Sequence, residues 1–132
     1  MTQNTSSSEH RSDTRYSASW RVALVIGGKV LHEGKLKDIS ASGAAILIQI
    51  NLKVGISLEL HMLLPALHHG HEQKVIIAHG KTCNSAHDSQ HHCFRVGISF
   101  DKFVVASDRD YLKSRLEGRH RVIADSRYAP PK

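Results

Sequence analysis

The chain reads as a mainly β protein: six or so strands in an antiparallel barrel or sandwich, followed by one C-terminal helix. Three observations predict this class. Several runs alternate apolar and polar residues with period two, short turn-forming breaks separate them, and a single helical pattern appears near the end. Strands spaced this closely leave no room for the crossover helices of a parallel sheet.

Bulk properties bound the rest. At 132 residues the chain fits one domain with a modest core, and its composition, 40% hydrophobic and 23% charged, is ordinary for a globular protein. No apolar run approaches the roughly 18 residues that span a bilayer, so membrane insertion is not expected. The start, MTQNTSSSEHR, lacks a basic segment followed by an apolar one, so no secretory signal is expected and the cytoplasm is the expected compartment. Two cysteines, Cys83 and Cys93, are too few for a disulfide framework and would be reduced there. The net charge of +6 favours an anionic partner (a nucleotide, nucleic acid, a membrane surface or an acidic protein) but serves solubility equally well.

Residues 1–14 are polar, with Ser6, Ser7 and Ser8 in a row, and read as a flexible arm. Residues 15–120 form the domain, and 121–132, ending Ala129-Pro130-Pro131-Lys132, read as a tail. Within the domain, Trp20, Val22, Leu24 and Ile26 alternate with Arg21, Ala23 and Val25, and Gly27-Gly28 supplies a turn. Gly34–Ile39 reads as a second strand, Ser40–Gly43 as a break, and Ala44–Ile50 as an apolar third strand. Ile56–Leu64 alternates cleanly; Gln73–Cys83 and His92–Phe100 are two more strands around a polar loop at 84–91. Trp20, set in an alternating strand, is read as core rather than as a base-stacking platform. Ser107 is placed as a helix N-cap, with Asp108 and Asp110 suiting the first turn. Tyr111, Leu112, Arg115 and Leu116 follow helical spacing, and Gly118 is placed to stop the helix. So short a helix is marginal alone and must dock on the strands.

Two short motifs carry chemistry. Arg11-Ser12-Asp13-Thr14-Arg15 is an R-x-x-x-R before the first strand, and Asp38-Ile39-Ser40-Ala41-Ser42-Gly43 is a D-x-S-x-x-G after the second. Each alone has an ordinary explanation. Paired arginines are common, and Asp, Ser and Gly build turns, with Gly43 able to adopt a positive φ. Together they suit one ligand type. A guanidinium fork pairs bidentately with phosphate or with O6 and N7 of guanine, while the Asp38 carboxylate can accept from guanine N1 and N2 hydrogens. Ser40 adds a hydroxyl, and Gly43 permits close approach to the backbone. Such a site suits an anionic, guanine-bearing molecule.

The combination resembles a PilZ domain. In that family an R-x-x-x-R precedes the first strand and a (D/N)-x-S-x-x-G lies slightly more than twenty residues downstream; here Arg15 and Asp38 are 23 positions apart. Arg95-Val96-Gly97-Ile98-Ser99-Phe100 resembles the R-x-G-x-x-F ending of the last barrel strand, and the likeness runs over roughly residues 11–118. The resemblance implies a six-stranded antiparallel β-barrel with a C-terminal α-helix. It also implies a bacterial second-messenger receptor that binds cyclic di-GMP and signals to a protein partner in motility, exopolysaccharide or virulence control. It assigns Arg11 and Arg15 to guanine edges and phosphates, and Asp38, Ser40 and Gly43 to the barrel side of the site. Some members carry a further arginine directly before the R-x-x-x-R, where it helps hold a stacked ligand pair. Here His10, a residue whose charge depends on pH, occupies that place as a further candidate contact, leaving one or two ligand molecules open.

Cys83, His87, His91 and Cys93 could meet in a hairpin and satisfy tetrahedral zinc, but their spacing is no familiar zinc module, so no metal and no cofactor beyond the ligand are expected. No nucleophile elbow, phosphate-cradling glycine loop or paired carboxylates occur, so no enzyme is expected. A ligand-independent protein-interaction adaptor is the alternative. A single-stranded nucleic-acid barrel ranks lower because aromatics, the usual stacking platforms, are only 5%.

Overall fold

The computed structural model describes residues 13–67 and 72–125. Among the described residues, eight strands and one helix run in the order β1 (Thr14–Ser17), β2 (Arg21–Ile26), β3 (Lys29–Ile39), β4 (Gly43–Ile48), β5 (Ser57–Leu64), β6 (Lys74–Asp88), β7 (Cys93–Phe103), α1 (Asp108–Leu116) and β8 (Val122–Asp125). The antiparallel ladder runs β2-β5-β6-β7-β4-β3, and β3 returns to pair with β2, closing a six-stranded barrel. Closure removes the exposed edges that an open sheet would leave. β1 adds to the Asp38–Ile39 end of β3, and β8 pairs with the outer side of β1.

Period-two patterning fills the interior. On β5, Leu58, Leu60, Met62 and Leu64 point inward while Glu59 and His61 face out. Leu24, Leu36, Ile46, Ile48, Ile76 and Ile98 complete a fully buried centre. Ile26 pairs with Lys29 across Gly27 and Gly28, whose φ values of 61° and 81° suit a two-residue hairpin turn that other residues enter reluctantly.

The helix plugs one side of the barrel with Leu112 and Leu116. Buried Asp108 meets Lys74 Nζ at 3.2 Å. Buried Arg115 donates to the Pro65 carbonyl and to the Tyr111 hydroxyl (3.3 Å), with its guanidinium 5.8 Å from the Trp20 ring centroid. An isolated cation in a core is costly, and these acceptors and the indole face offset that cost. Trp20 itself is buried, as its pattern predicts.

Four sequence expectations change. Val122–Asp125, assigned to a tail, is a strand, because β1 offers an edge that no local pattern announces. Ser107 stands at the N-cap position but its side chain makes no capping hydrogen bond; its φ and ψ of −69° and −12° are helical, which turns the hydroxyl from the first turn's amides. β6 and β7 run further than expected, so residues 84–88 are strand rather than loop. This also separates the cysteines. Cys93 pairs beside Asp88, five positions along β6 from Cys83, which at about 3.3 Å per residue puts them roughly 17 Å apart. Among the described residues no group of His, Cys, Asp and Glu is placed to hold a metal ion. Nor, among those residues, is any helix long and apolar enough to cross a membrane.

Candidate functional site

Of the candidate residues, Arg15, Asp38, Ser40 and Gly43 lie among the described ones; Arg11 and His10 fall outside them. β1 pairs antiparallel with β3 at Tyr16–Ile39 and Ser17–Asp38, which carries the arm across the 40–43 turn. Arg15 Nη2 donates to Asp38 Oδ1. In return, Asp13, inside the R-x-x-x-R, accepts from Ser40 Oγ at 3.2 Å and from Ser42 Oγ at 2.5 Å. Each motif thus supplies an acid to the other. Asp38 is buried beneath this arm, whereas the Arg15 side chain is 40% exposed.

Asp38 reaches the outer face because of a β-bulge. Leu36 pairs with Ile46 and Asp38 with Ala45, so Lys37 is an extra residue in the ladder. Strict alternation from Leu36 would turn Asp38 inward; the bulge turns it out and leaves Ile39 in the core. β6 repeats the device. Thr82 pairs with Ile98 and Asn84 with Gly97, making Cys83 the extra residue and bringing Asn84 onto the same outer surface.

These residues border a cleft of about 530 Å³ on the outer faces of β4, β6 and β7. Gly43, Ala45, Ala86, Gly97 and Ser99 give it a floor of small side chains, and Arg15, Asp38, Asn84 and Arg95 supply its polar groups. Such a surface can take a flat ring against the strands while arginines pair with anionic or carbonyl oxygens. Sequence reasoning missed Asp13, Ser42, Asn84 and Arg95 as site residues. The odd spacing of two inward residues, Leu36 and Ile39, was the signal for the bulge; Arg95 lay inside a motif valued only for its apolar positions.

Gly43 plays a different part from the one expected. Its φ is not positive, and it pairs with Ser99 as the first residue of β4. A Cβ there would sit 2.6 Å from the Ile98 carbonyl oxygen, so glycine is required by the neighbouring strand. The turn is pinned as well: Ser40 N–H donates to Gly43 O (2.8 Å) and Phe100 N–H to Ser42 O (2.8 Å).

Away from the cleft, the β6–β7 hairpin holds a second polar contact. His91 Nδ1 lies 3.0 Å from Asp88 Oδ2, and the His91 backbone N–H donates to Oδ1 at 3.1 Å. The ring hydrogen bond first, then the backbone bond and the charge of His91, hold the Asp88 carboxyl below its ordinary range.

Barrel and site together define a small β-barrel domain with an N-terminal arm laid over a polar turn. The chain belongs to the PilZ domain family, whose model matches residues 9–118. Among solved structures it is similar to the Bacillus subtilis inhibitor of motility MotI/DgrA, with TM-score 0.65 and 18% identity over 83% of this chain and 53% of that one. It is also similar to the PilZ domain with c-di-GMP of YcgR from Escherichia coli, with TM-score 0.54 and 14% identity over 76% of this chain and 84% of that one. The chain spans about half the length of the MotI/DgrA chain, and at these identities the likeness concerns the fold. Comparison with the curated proteins gives no match.

Proposed function

We propose that this chain is a non-enzymatic receptor for cyclic di-GMP that passes its ligand state to a protein partner. The observation that carries the reading is the convergence of Arg15 and Asp38 at one cleft with Asn84 and Arg95. Arginine forks suit the two phosphates and the O6/N7 edges of the ligand; Asp38 suits guanine N1 and N2 hydrogens, a pattern adenine lacks. In this reading Arg11 is a further ligand contact and His10 an additional candidate, with Ser40 and Gly43 contributing from the barrel side. A ligand that uses both Arg15 and Asp38 competes with their contact with each other, which links binding to the position of β1. Because the Arg15–Asp38 contact competes with the ligand for the same groups, micromolar affinity, about −8 kcal/mol, is expected. Family membership and the c-di-GMP named with the YcgR domain support the reading.

Calorimetry with cyclic di-GMP tests it: saturable heat is expected, and none up to about a millimolar refutes it. Arg15→Ala should abolish the heat while leaving the fold intact.

A second reading has one observation in its favour. The Arg15–Asp38 and Asp13–Ser40/Ser42 contacts satisfy the motif residues internally, as a purely structural arm would require. On that reading the domain is a ligand-independent adaptor, and a partner is captured equally with and without cyclic di-GMP. For the output we propose motility, exopolysaccharide or virulence control in the bacterial cytoplasm; MotI/DgrA, named an inhibitor of motility, supports the first of these. A pull-down with and without ligand identifies the partner.

A further inference from the structure

The two halves of the proposed ligand site are joined to the same C-terminal unit. Arg109, in the first turn of α1, donates from Nη1 to the Ala41 carbonyl at 3.0 Å, and Ala41 lies inside the D-x-S-x-x-G turn, 68 positions away in sequence. Its guanidinium also lies 5.0 Å from the Phe103 ring centroid, which holds the side chain extended between helix and turn. The segment after α1 grips the arm. His120 Nδ1 lies 3.1 Å from the Ser17 carbonyl oxygen, Ser17 N–H donates to the Arg121 carbonyl at 2.7 Å, and β8 pairs with β1 so that Ala124 stands beside Arg15. One helix-and-strand unit therefore holds the turn at one end and the arginine-bearing strand at the other.

We propose that α1 and β8 act as a clamp that positions both halves of the cyclic di-GMP site and senses their closure. The proposal rests on the ligand reading above and adds its regulation. Arg109 is a positioning residue: it orients the turn through the Ala41 carbonyl and need not touch ligand. β8 braces β1 on the side away from β3, and so supports the placement of the Arg15 guanidinium over Asp38. A ligand held between Arg15 and the 40–43 turn bears on both attachments of this unit, at Ala41 and at β1. A partner whose affinity for α1 is changed by the ligand changes ligand affinity by that same factor, because linkage is reciprocal.

The test compares the full chain, Arg109→Ala, Arg109→Lys and a chain ending at Arg121. Calorimetry with cyclic di-GMP is combined with amide hydrogen exchange across 108–116. Arg109→Ala and removal of β8 should each weaken binding by about tenfold, the scale of one good hydrogen bond, and Arg109→Lys, which keeps a donor, should recover most of the loss. Ligand should slow exchange in α1 of the full chain but not of Arg109→Ala, a change that a merely structural residue would not control. If the shortened chain fails to fold, the Arg109 variants still decide. Heat from the full chain, with Arg109→Ala binding within twofold of it and α1 exchange unaltered by ligand, overturns the clamp alone. No heat from the full chain overturns the ligand reading beneath it.

Discussion

Replacing Asp38 by alanine separates the role of this carboxylate in the fold from its role in ligand choice. In the protein Asp38 accepts from Arg15, with side-chain exposures of 11% and 40%. A pair with one partner so open to solvent is worth about 0–1 kcal/mol, so Asp38→Ala should lower unfolding free energy by no more than about 1 kcal/mol. The binding effect is larger. Losing the acceptor for guanine N1 and N2 costs about 1–3 kcal/mol, from which up to about 1 kcal/mol returns because Arg15 no longer has to leave its partner. The net loss lies between about 0 and 3 kcal/mol, with its middle near 1.5 kcal/mol, or roughly tenfold in Kd. Cyclic di-AMP never used that acceptor, so its affinity should hold or rise slightly, and the ratio between the two ligands should shrink. Calorimetry with both ligands, beside a urea melt, measures all three quantities. Wild-type Kd values and an unchanged ratio for Asp38→Ala would refute the assignment of Asp38 as the guanine-reading group.

Three other perturbations probe different parts of the chain. Gly43→Val places a Cβ against the Ile98 carbonyl and should prise β4 from β7, costing about 1–3 kcal/mol in a urea melt; a neutral result would deny the close approach. Leu60→Ala removes a fully buried side chain from the barrel centre and should cost about 2–5 kcal/mol, measured the same way, with little change in the slope against denaturant. The Asp88 carboxyl, followed by carbon NMR, should titrate below an ordinary aspartate, and His91→Ala should raise its midpoint. Because the folded value is the lower one, the pair's stabilisation is present above the unfolded aspartate's value, about 3.9, and is lost as pH falls through the depressed one.

The strand alternation, the Gly27-Gly28 turn and the helix ending near Gly118, whose φ is 78°, were legible because they rest on local chemistry: period-two burial and tolerance of positive φ. The joint presence of an R-x-x-x-R and a D-x-S-x-x-G was equally local, and the structure brings Arg15 and Asp38 of these motifs together. What escaped depends on pairing between distant segments. Val122-Ile123-Ala124 is too short to show a period and becomes a strand only because β1 presents an edge. The bulges at Lys37 and Cys83 exist only relative to partner strands, yet they decide which face Asp38 and Asn84 occupy. By itself the sequence determined which residues carry charge, hydroxyls and conformational freedom. Only the tertiary structure decided that Asp13 would answer Ser40 and Ser42, that the Ile98 carbonyl rather than a positive φ requires glycine at 43, and that Arg95 borders the same cleft as Arg15. Side-chain direction in a sheet is set by register across strands, and register is a property of the closed barrel rather than of any one segment.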